Sequence, residues 1–497
     1  MSPRVAATLR YAAALAAGAA MALAFAPFSL ATLAVAGLAV IFYLIATARG
    51  GRVLCLGYLF GLAYVGLGVY WIFVSVSRFG GGPLAASIVT PIFIALFALY
   101  PMLALWLGAR LSYRRPAWAV LTTLPLTWVA MEWIRSWLFT GTTWLAVGYT
   151  QIDRPLAALA PILGTFGLSL VVVMLAGSLA AVVMRPTRGR VSWAAALLVV
   201  YLGSGWLDNI PWTRPDGEPL ELAMIQGNLP PDQKWRDDKR RETLRYYTDR
   251  SRDHFGKPLI IWPETAVPAF YRRVSEQWLD PLAAEAARAG STVITGVPVI
   301  GDDRTPYNAV MALGQSERTY RKRHLVPFGE YVPFRGWLGG ALDFVGAPLG
   351  DFGAGSEATL LQAAGQQIGV SVCYEVTFGD EVADTVPAAG LLLNVSNDGW
   401  FGDSSAPYQH LEMARMRTLE TGRPLLRATN TGITAIIGSD GEVRERAPMF
   451  QRAVLTGRIQ PRTGATPYAR WRDWPVVGLV FAGLAVAVLV AARRRPD

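Results

Sequence analysis

Long apolar stretches separated by short polar ones fill the first 207 residues, and one more follows near residue 480. A helix needs about 20 mainly apolar residues to cross the hydrocarbon core of a bilayer. The pattern therefore predicts eight membrane-spanning helices, at 8–26, 30–48, 53–76, 84–109, 117–137, 156–183, 192–207 and 475–492. We expect three parts: seven helices within 1–207, a water-facing domain at 208–470, and the eighth helix with a short tail at 471–497.

Arginine residues are concentrated in alternate segments between these helices. Lys and Arg favour the cytoplasmic side of short loops. One side would carry Arg4, Arg10, Arg49, Arg52, Arg110, Arg114, Arg115, Arg185, Arg188, Arg190 and Arg493 to Arg495. The opposite short loops contain little besides Arg78 and Arg154. The distribution predicts that both termini are cytoplasmic and that the large domain lies outside the cytoplasm.

Within 208–470, short apolar runs rich in β-branched residues alternate with amphipathic segments. The predicted strands are 220–226, 259–262, 292–299, 308–313, 368–373, 391–395, 433–437 and 453–458, and the predicted helices are 237–254, 274–289 and 407–421. This alternation is typical of a layered α/β domain. The apolar, glycine-rich segment 331–356 fits two interpretations, a lid or membrane-surface loop and a packed surface loop.

The composition agrees with a membrane protein. Hydrophobic residues make up 53% of the chain and charged residues 16%, against about 25% charged residues in an average soluble domain. A large share of the formal net charge of +10 comes from the arginines of the membrane loops, so we expect no nucleic-acid partner. The histidines His254, His324 and His410 form no metal-ligand pattern, and we expect no metal and no cofactor.

Three segments that contain or follow predicted strands carry reactive side chains. Glu264 follows a buried-type strand and fits a general base, although a carboxylate that caps a turn is an equal reading. Lys322 lies in a basic segment and fits the stabilisation of an oxyanion, although a basic surface turn is the simpler reading. Cys373, the lone thiol of the domain, fits a nucleophile, although single cysteines are more often buried structural residues.

Taken together, these segments resemble the nitrilase superfamily, whose site is a Glu–Lys–Cys triad in that chain order. The similarity extends through Gln226-Gly227-Asn228 and through the segment 394–401, Asn-Val-Ser-Asn-Asp-Gly-Trp-Phe. The resemblance implies an α-β-β-α sandwich in which Glu264 is the general base, Lys322 stabilises the oxyanion and Cys373 is the nucleophile.

The membrane helices narrow the resemblance further. Residues 262–265, 324–330 and 373–375, together with 132–135 and the segment 140–149, are similar to the apolipoprotein N-acyltransferase family of the bacterial inner membrane. One departure is Thr142-Thr143-Trp144, where the family more often has Phe-Pro-Trp. The resemblance implies transfer of a fatty acyl chain from a phospholipid to the α-amino group of the N-terminal diacylglyceryl-cysteine of a lipoprotein, through a thioester.

The same resemblance suggests supporting residues. Glu330 and Glu375 would shape the site, Trp235 and Tyr374 would line the acyl or lipoprotein path, and Asn308 would anchor the polar network. Glu132 and Arg135, near the outer end of the fifth predicted span, are expected to pair with each other, because charges at membrane depth are costly.

Two other classes of function remain open at this point. A membrane-tethered nitrilase-type amidase would use the same triad to hydrolyse a small amide, with water as the acceptor. A transporter or receptor would use the external domain only to bind a ligand, but intramembrane charges are scarce and no pair of broken helices repeats.

Overall fold

The computed structural model describes residues 2–112, 115–230, 236–314, 318–331 and 352–492. Contacts divide the chain into two compact units. The first unit comprises Met1–Phe73, Ser87–Ile210 and Trp471–Asp497, and the second comprises Val74–Ala86 and Pro211–Arg470. A short segment within the predicted membrane region, 74–86, therefore groups with the second unit.

The first unit is helical. Its main helices are Pro3–Leu23, Thr32–Ala46, Arg52–Gly68, Leu99–Leu111, Leu124–Arg135, Ala160–Met184, Arg188–Gly203 and Trp474–Ala492, while Trp71–Phe79 and Gly82–Phe97 each contribute residues to both units. Among the described residues, five helical segments are long and apolar enough to cross a membrane, namely Arg4–Leu23, Gly82–Leu111, Pro116–Arg135, Pro155–Met184 and Arg188–Asn209. Thr32–Ala46 and Trp474–Val490 are apolar but shorter. These apolar helices indicate a membrane protein.

The third predicted span, 53–76, is not one continuous helix. Arg52–Gly68 and Trp71–Phe79 are bent by 55° at a short break. At the end of the first piece, a Cβ on Gly68 would lie 2.4 Å from Cδ1 of Leu145, so the backbone there packs too closely for a side chain. Hydropathy reports only how apolar a segment is, so the hydropathy pattern could not reveal this bend.

The expected pairing of Glu132 with Arg135 is wrong. Oε1 of Glu132 instead accepts hydrogen bonds from Nε1 of Trp128 at 2.9 Å and from the Val147 N–H at 3.0 Å. Oε2 of Glu132 and Nε of Arg135 are both buried without a hydrogen-bond partner among the described residues. The Val147 donor belongs to the segment that follows the helix Leu124–Arg135. The spacing of residues along one helix cannot reveal such a partner.

The described residues of the second unit form two six-stranded sheets and one short pair of strands. In chain order the strands are β1 (Thr213–Pro215), β2 (Leu220–Gln226), β3 (Leu259–Ile261), β4 (Thr292–Ile300), β5 (Pro306–Ala312), β6 (Thr319–Arg321), β7 (Leu361–Ala363), β8 (Gln366–Val372), β9 (Leu391–Ser396), β10 (Leu425–Thr429), β11 (Ala435–Ile437), β12 (Val443–Arg446), β13 (Ala453–Ile459) and β14 (Arg462–Gly464). One sheet has the order β13-β2-β3-β4-β5-β6 and the other β12-β11-β10-β9-β8-β7, while β1 pairs with β14. The central strands β2, β3 and β4 run parallel, as do β8, β9 and β10.

Three apolar clusters define the layers of this unit. The central cluster joins inward side chains of both sheets, such as Ile261 and Ile294 from one and Val372 and Leu393 from the other. A second cluster packs the helices Asp237–Arg252 and Asp280–Arg288 against the first sheet, and a third packs the helix Ala406–Thr421 against the second sheet. The arrangement is the expected α-β-β-α sandwich.

The segment 74–86 supplies an aromatic contact within this unit. The ring of Phe79 meets the ring of Trp400 edge-on, with 5.0 Å between the centroids. Trp400 lies in the 3-10 turn Asp398–Phe401 that follows β9. The second unit is therefore built from two separate stretches of the sequence.

Candidate active site

Glu264 lies just beyond the carboxyl end of β3, where the sequence predicted a reactive carboxylate. It is buried, and Oε1 accepts a hydrogen bond of 2.8 Å from Nδ2 of Asn308 on β5. Its backbone packs against the neighbouring strand β4, since a Cβ on Gly296 would lie 2.7 Å from the Cα of Glu264. Close packing and one fixed donor thus hold the carboxylate in a single place.

Lys322 follows β6 and is almost completely buried. Its Nζ lies 2.8 Å from Oε2 of Glu330 and 4.0 Å from Oε1 of Glu264. Burial alone would lower the pKa of Lys322, but the two carboxylates raise it above its usual value, so the side chain stays an ammonium. Asn308 also donates to Glu330 at 3.0 Å, which joins the two acids and the lysine in one network.

Cys373 is the first residue after β8, and it is partly exposed. Its φ of +52° lies in the left-handed region that non-glycine residues rarely adopt. Desolvation and the nearby charge of Glu264 raise the pKa of its thiol to about 12, whereas Lys322 lowers it. The resting thiol is therefore protonated at neutral pH, and it lies close enough to both charged groups to respond to them.

Glu375 connects the segment of Lys322 to the segment of Cys373. Oε1 accepts from the backbone N–H groups of Arg323 and His324, at 2.6 and 3.0 Å. Oε2 accepts from the hydroxyl of Tyr320 at 2.8 Å and from the backbone N–H of Val372 at 2.6 Å. One buried carboxylate thus joins the backbone just after Lys322, and the side chain of Tyr320 just before it, to the end of β8, which immediately precedes Cys373.

A second polar network contacts the backbone carbonyl of Cys373. His410 Nε2 and Asn394 Nδ2 lie 3.1 and 3.3 Å from its carbonyl oxygen. Asp398 and Arg427 complete this network, with 2.8 Å between Oδ2 and Nη2, and both are fully buried. Although burial opposes it, the Arg427 guanidinium holds the pKa of Asp398 below its usual range.

The remaining sequence candidates have different outcomes. Tyr374 packs its ring against His324 and Phe378, with centroids 5.7 and 5.1 Å apart. Trp235 and most of the segment 331–356 lie outside the described residues, so their predicted roles stay predictions. Within the described ranges no group of three or more His, Cys, Asp or Glu residues has a geometry that would hold a metal ion.

Comparison with known proteins decides the family. Residues 17–178 match the apolipoprotein N-acyltransferase N-terminal domain, and residues 221–468 match the carbon-nitrogen hydrolase family. The apolipoprotein N-acyltransferase of Methylococcus capsulatus is 46% identical over 95% of this chain and 94% of its own length. That of Pseudomonas putida is 40% identical over 97% of this chain and 96% of its own length. The chain belongs to the apolipoprotein N-acyltransferase family.

As a member of the apolipoprotein N-acyltransferase family, the protein is an acyltransferase with a carbon-nitrogen hydrolase domain. A CN-hydrolase superfamily protein from Xanthomonas campestris aligns with a TM-score of 0.37 at 20% identity, over 52% of this chain and 97% of that chain.

The candidate site also contains residues to which sequence reasoning gave no role. His410 was considered only as a metal ligand, and Asn394 and Asp398 only as part of a family motif. One available signal was Asn394 itself, a polar residue within the run Leu391-Leu392-Leu393 to Val395. A buried amide in such a strand requires hydrogen-bond partners, which indicates a polar network nearby.

Proposed function

We propose that the protein N-acylates lipoproteins: it transfers a fatty acyl chain from a membrane phospholipid to the α-amino group of an N-terminal diacylglyceryl-cysteine. The observation that carries the proposal is the position of Cys373, a partly exposed thiol beside a buried ammonium and a buried carboxylate. Family membership supplies the acceptor, and the apolar helices support a lipid donor.

In the first half-reaction the protonated Cys373 thiol needs a base, because its pKa lies far above neutral pH. Glu264 takes the thiol proton as Sγ attacks the ester carbonyl carbon of the phospholipid. The ammonium of Lys322 stabilises the oxyanion of the tetrahedral intermediate. The intermediate then collapses to a thioester, and Glu264 returns the proton to the leaving lysophospholipid oxygen.

In the second half-reaction the neutral α-amino group of the lipoprotein attacks the thioester carbonyl. An α-amino group has a pKa of about 8, so a useful fraction is uncharged at neutral pH. Glu264 takes the amine proton and passes it to the departing Cys373 sulfur, which regenerates the thiol. The amide product is the N-acylated lipoprotein, and the two half-reactions form a ping-pong cycle.

The proposal includes the topology. Eight helices would cross the bacterial inner membrane, with both termini in the cytoplasm and the catalytic domain in the periplasm. The clustering of arginines in alternate segments supports this orientation. A periplasmic site would meet lipoproteins after their export.

The test is the intact mass of the purified protein after incubation with phospholipid alone. We expect one acyl mass on Cys373, removable by hydroxylamine and also by a diacylated lipopeptide. Cys373→Ala should lose the adduct, and Cys55→Ala, which removes the other cysteine, should keep it. Release of fatty acid to water without lipopeptide would support a hydrolase instead, and absence of any adduct or lysophospholipid would contradict the phospholipid donor.

A further inference from the structure

The carbonyl oxygen of Cys373 lies within hydrogen-bonding distance of two side chains. Nε2 of His410 is 3.1 Å away and Nδ2 of Asn394 is 3.3 Å away. Both contacts fall on a residue whose backbone has a strained, left-handed conformation. A strained conformation of this kind persists only where the surrounding structure fixes it.

Arg427 determines which atoms in this network can donate. Nη1 bonds to Oδ1 of Asn394, and Nη2 lies 2.8 Å from Oδ2 of Asp398 and 3.0 Å from Nδ1 of His410. A guanidinium only donates hydrogen bonds, so the Asn394 and Asp398 oxygens act as acceptors. Nδ1 of His410 lies not only near Arg427 but also 3.1 Å from Oδ1 of Asp398, which only accepts. The side-chain oxygen of Asn394 therefore faces Arg427, and the proton of His410 is assigned from its other ring nitrogen.

The side-chain nitrogen atoms of Asn394 and His410 both face the carbonyl oxygen of Cys373. With Oδ1 of Asn394 on the guanidinium, its amide nitrogen is the group that faces Cys373. The carbonyl oxygen of Cys373 only accepts hydrogen bonds, so Nε2 of His410, 3.1 Å away, carries a ring proton and donates it. Burial and the charge of Arg427 lower the pKa of His410, in agreement with a neutral ring.

Asp398 balances the buried guanidinium charge. Its Oδ2 accepts from Arg427, and its Oδ1 accepts from the hydroxyl of Ser396 at 2.7 Å. Both Asp398 and Arg427 are fully buried, where an unpaired charge would be expensive. The pair therefore keeps a cation in the interior at a place where it can organise two neutral donors.

We propose that Arg427 is a positioning residue for Cys373, acting through His410 and Asn394, which both donate to the Cys373 carbonyl oxygen. The inference rests on the proposed role of Cys373 as nucleophile. In a trans peptide the C=O and the next N–H point in opposite directions. Fixing this carbonyl therefore fixes the peptide plane between Cys373 and Tyr374, and with it the starting point of the Cys373 side chain.

The test compares two substitutions of His410 in the Cys55→Ala protein. His410→Gln keeps a side-chain N–H that can reach the Cys373 carbonyl, and His410→Phe keeps a ring without a donor. The readout is the single-turnover rate of Cys373 acylation by phospholipid vesicles, followed by intact mass, with the melting temperature of each variant. We expect His410→Phe to acylate about 100-fold more slowly, the order of loss produced by a small misplacement of a reacting group.

His410→Gln should recover the rate to within about fivefold of the parent protein, because the donor is restored. A merely structural role for His410 would give rates that follow the melting temperature, with no selective rescue by glutamine. Parent-like acylation by folded His410→Phe, or equal loss in both folded variants, would overturn the inference.

A second variant decides the question if His410→Phe does not fold. Asn394→Asp keeps an oxygen on Arg427 but places an acceptor oxygen against the Cys373 carbonyl. We expect acylation at least about 10-fold slower, with an unchanged dependence of the rate on vesicle concentration. A parent-like rate in folded Asn394→Asp would overturn the inference.

Cys373→Ala separates this inference from the proposed function. If Cys373→Ala still acquires the acyl adduct, the proposed function fails at its first step. If Cys373→Ala loses the adduct while His410→Phe and Asn394→Asp acylate at the parent rate, the proposed function stands and the positioning role of Arg427 fails.

Discussion

The ammonium of Lys322 forms an ion pair with Glu330, with 2.8 Å between Nζ and Oε2. The candidate base Glu264 is more distant from the same nitrogen, at 4.0 Å. Glu330 thus balances the buried charge of Lys322 and leaves Glu264 available for proton transfer. The two carboxylates, though both joined to Asn308, have separable tasks.

Substitution of the two acids should therefore have unequal effects. Glu264→Gln removes the base and should slow acylation of Cys373 by about 10²–10⁴-fold. Glu330→Gln should slow it by about 10-fold, because Lys322 would then draw on Glu264 and reduce its basicity. Intact mass at single turnover measures both, and the exposed Glu276→Gln is the control. A larger loss in Glu330→Gln than in Glu264→Gln would contradict these assignments.

The thiol should become more acidic when the base is removed. The charge of Glu264 helps to raise the pKa of Cys373 to about 12. Glu264→Gln removes this negative charge, so the thiolate becomes easier to form and the pKa should fall by about one unit or more. Alkylation by iodoacetamide, measured against pH in the Cys55→Ala protein, should reach its midpoint at lower pH although acyl transfer is slower. An unchanged or higher midpoint would show that Glu264 does not act electrostatically on the thiol.

Glu375 should matter for stability as well as for activity. Its four hydrogen bonds come from donors, so the NH₂ group of Glu375→Gln would oppose two of them. A buried donor without a partner costs about 1–3 kcal/mol, so the free energy of unfolding should fall by roughly 2–4 kcal/mol. Thermal unfolding in detergent, followed by tryptophan fluorescence, measures the change.

The matched control is Glu285→Gln. Glu285 forms a surface ion pair with Arg252, at 2.7 Å, and such pairs contribute only about 0–1 kcal/mol. Equal shifts of the melting temperature in the two variants would refute the special role of the Glu375 carboxylate.

Gly296 should tolerate no side chain without loss of activity. A Cβ there would lie 2.6 Å from the Thr265 nitrogen and 2.7 Å from the Glu264 Cα, so Gly296→Ala must displace the candidate base. Because small misplacements of reacting groups are costly, acylation should fall by about 10²-fold. Gly189→Ala, at a glycine with open space around it, should leave the rate unchanged. Normal acylation by Gly296→Ala would show that the backbone of Glu264 can shift without consequence.

The strands that precede Glu264 and Cys373 were predicted with ends within one or two residues of those observed. Both strands are rich in apolar, β-branched residues. Strand β10, Leu425–Thr429, was not predicted, although all five of its residues are buried. It contains Arg427, and a charged residue in a short strand suggests a solvent-exposed edge. The opposing charge of Asp398, 29 positions earlier in the chain, makes this burial possible, and hydrophobic patterning cannot reveal such a partner.

Several of the hydrogen-bond partners of Glu375 and His410 are likewise far away in the sequence. Glu375 was predicted to shape the site, but three of its four donors lie 51, 52 and 55 positions away, on the segment of Lys322. Strands β6 and β7 have only three residues each, too few for an alternating pattern to be read. The sequence therefore offered the candidate residues, while the distant residues that hold them in place became visible only in the fold.

The contact between Phe79 and Trp400 limits where the chain can be truncated to isolate the catalytic unit. A fragment that began at residue 208 would keep every strand of the sandwich and all three residues of the proposed triad. It would lose the ring that covers Trp400, which stands two positions after Asp398 in the same turn. A water-soluble version of the catalytic unit would therefore need a substitute for the helical segment from which Phe79 comes.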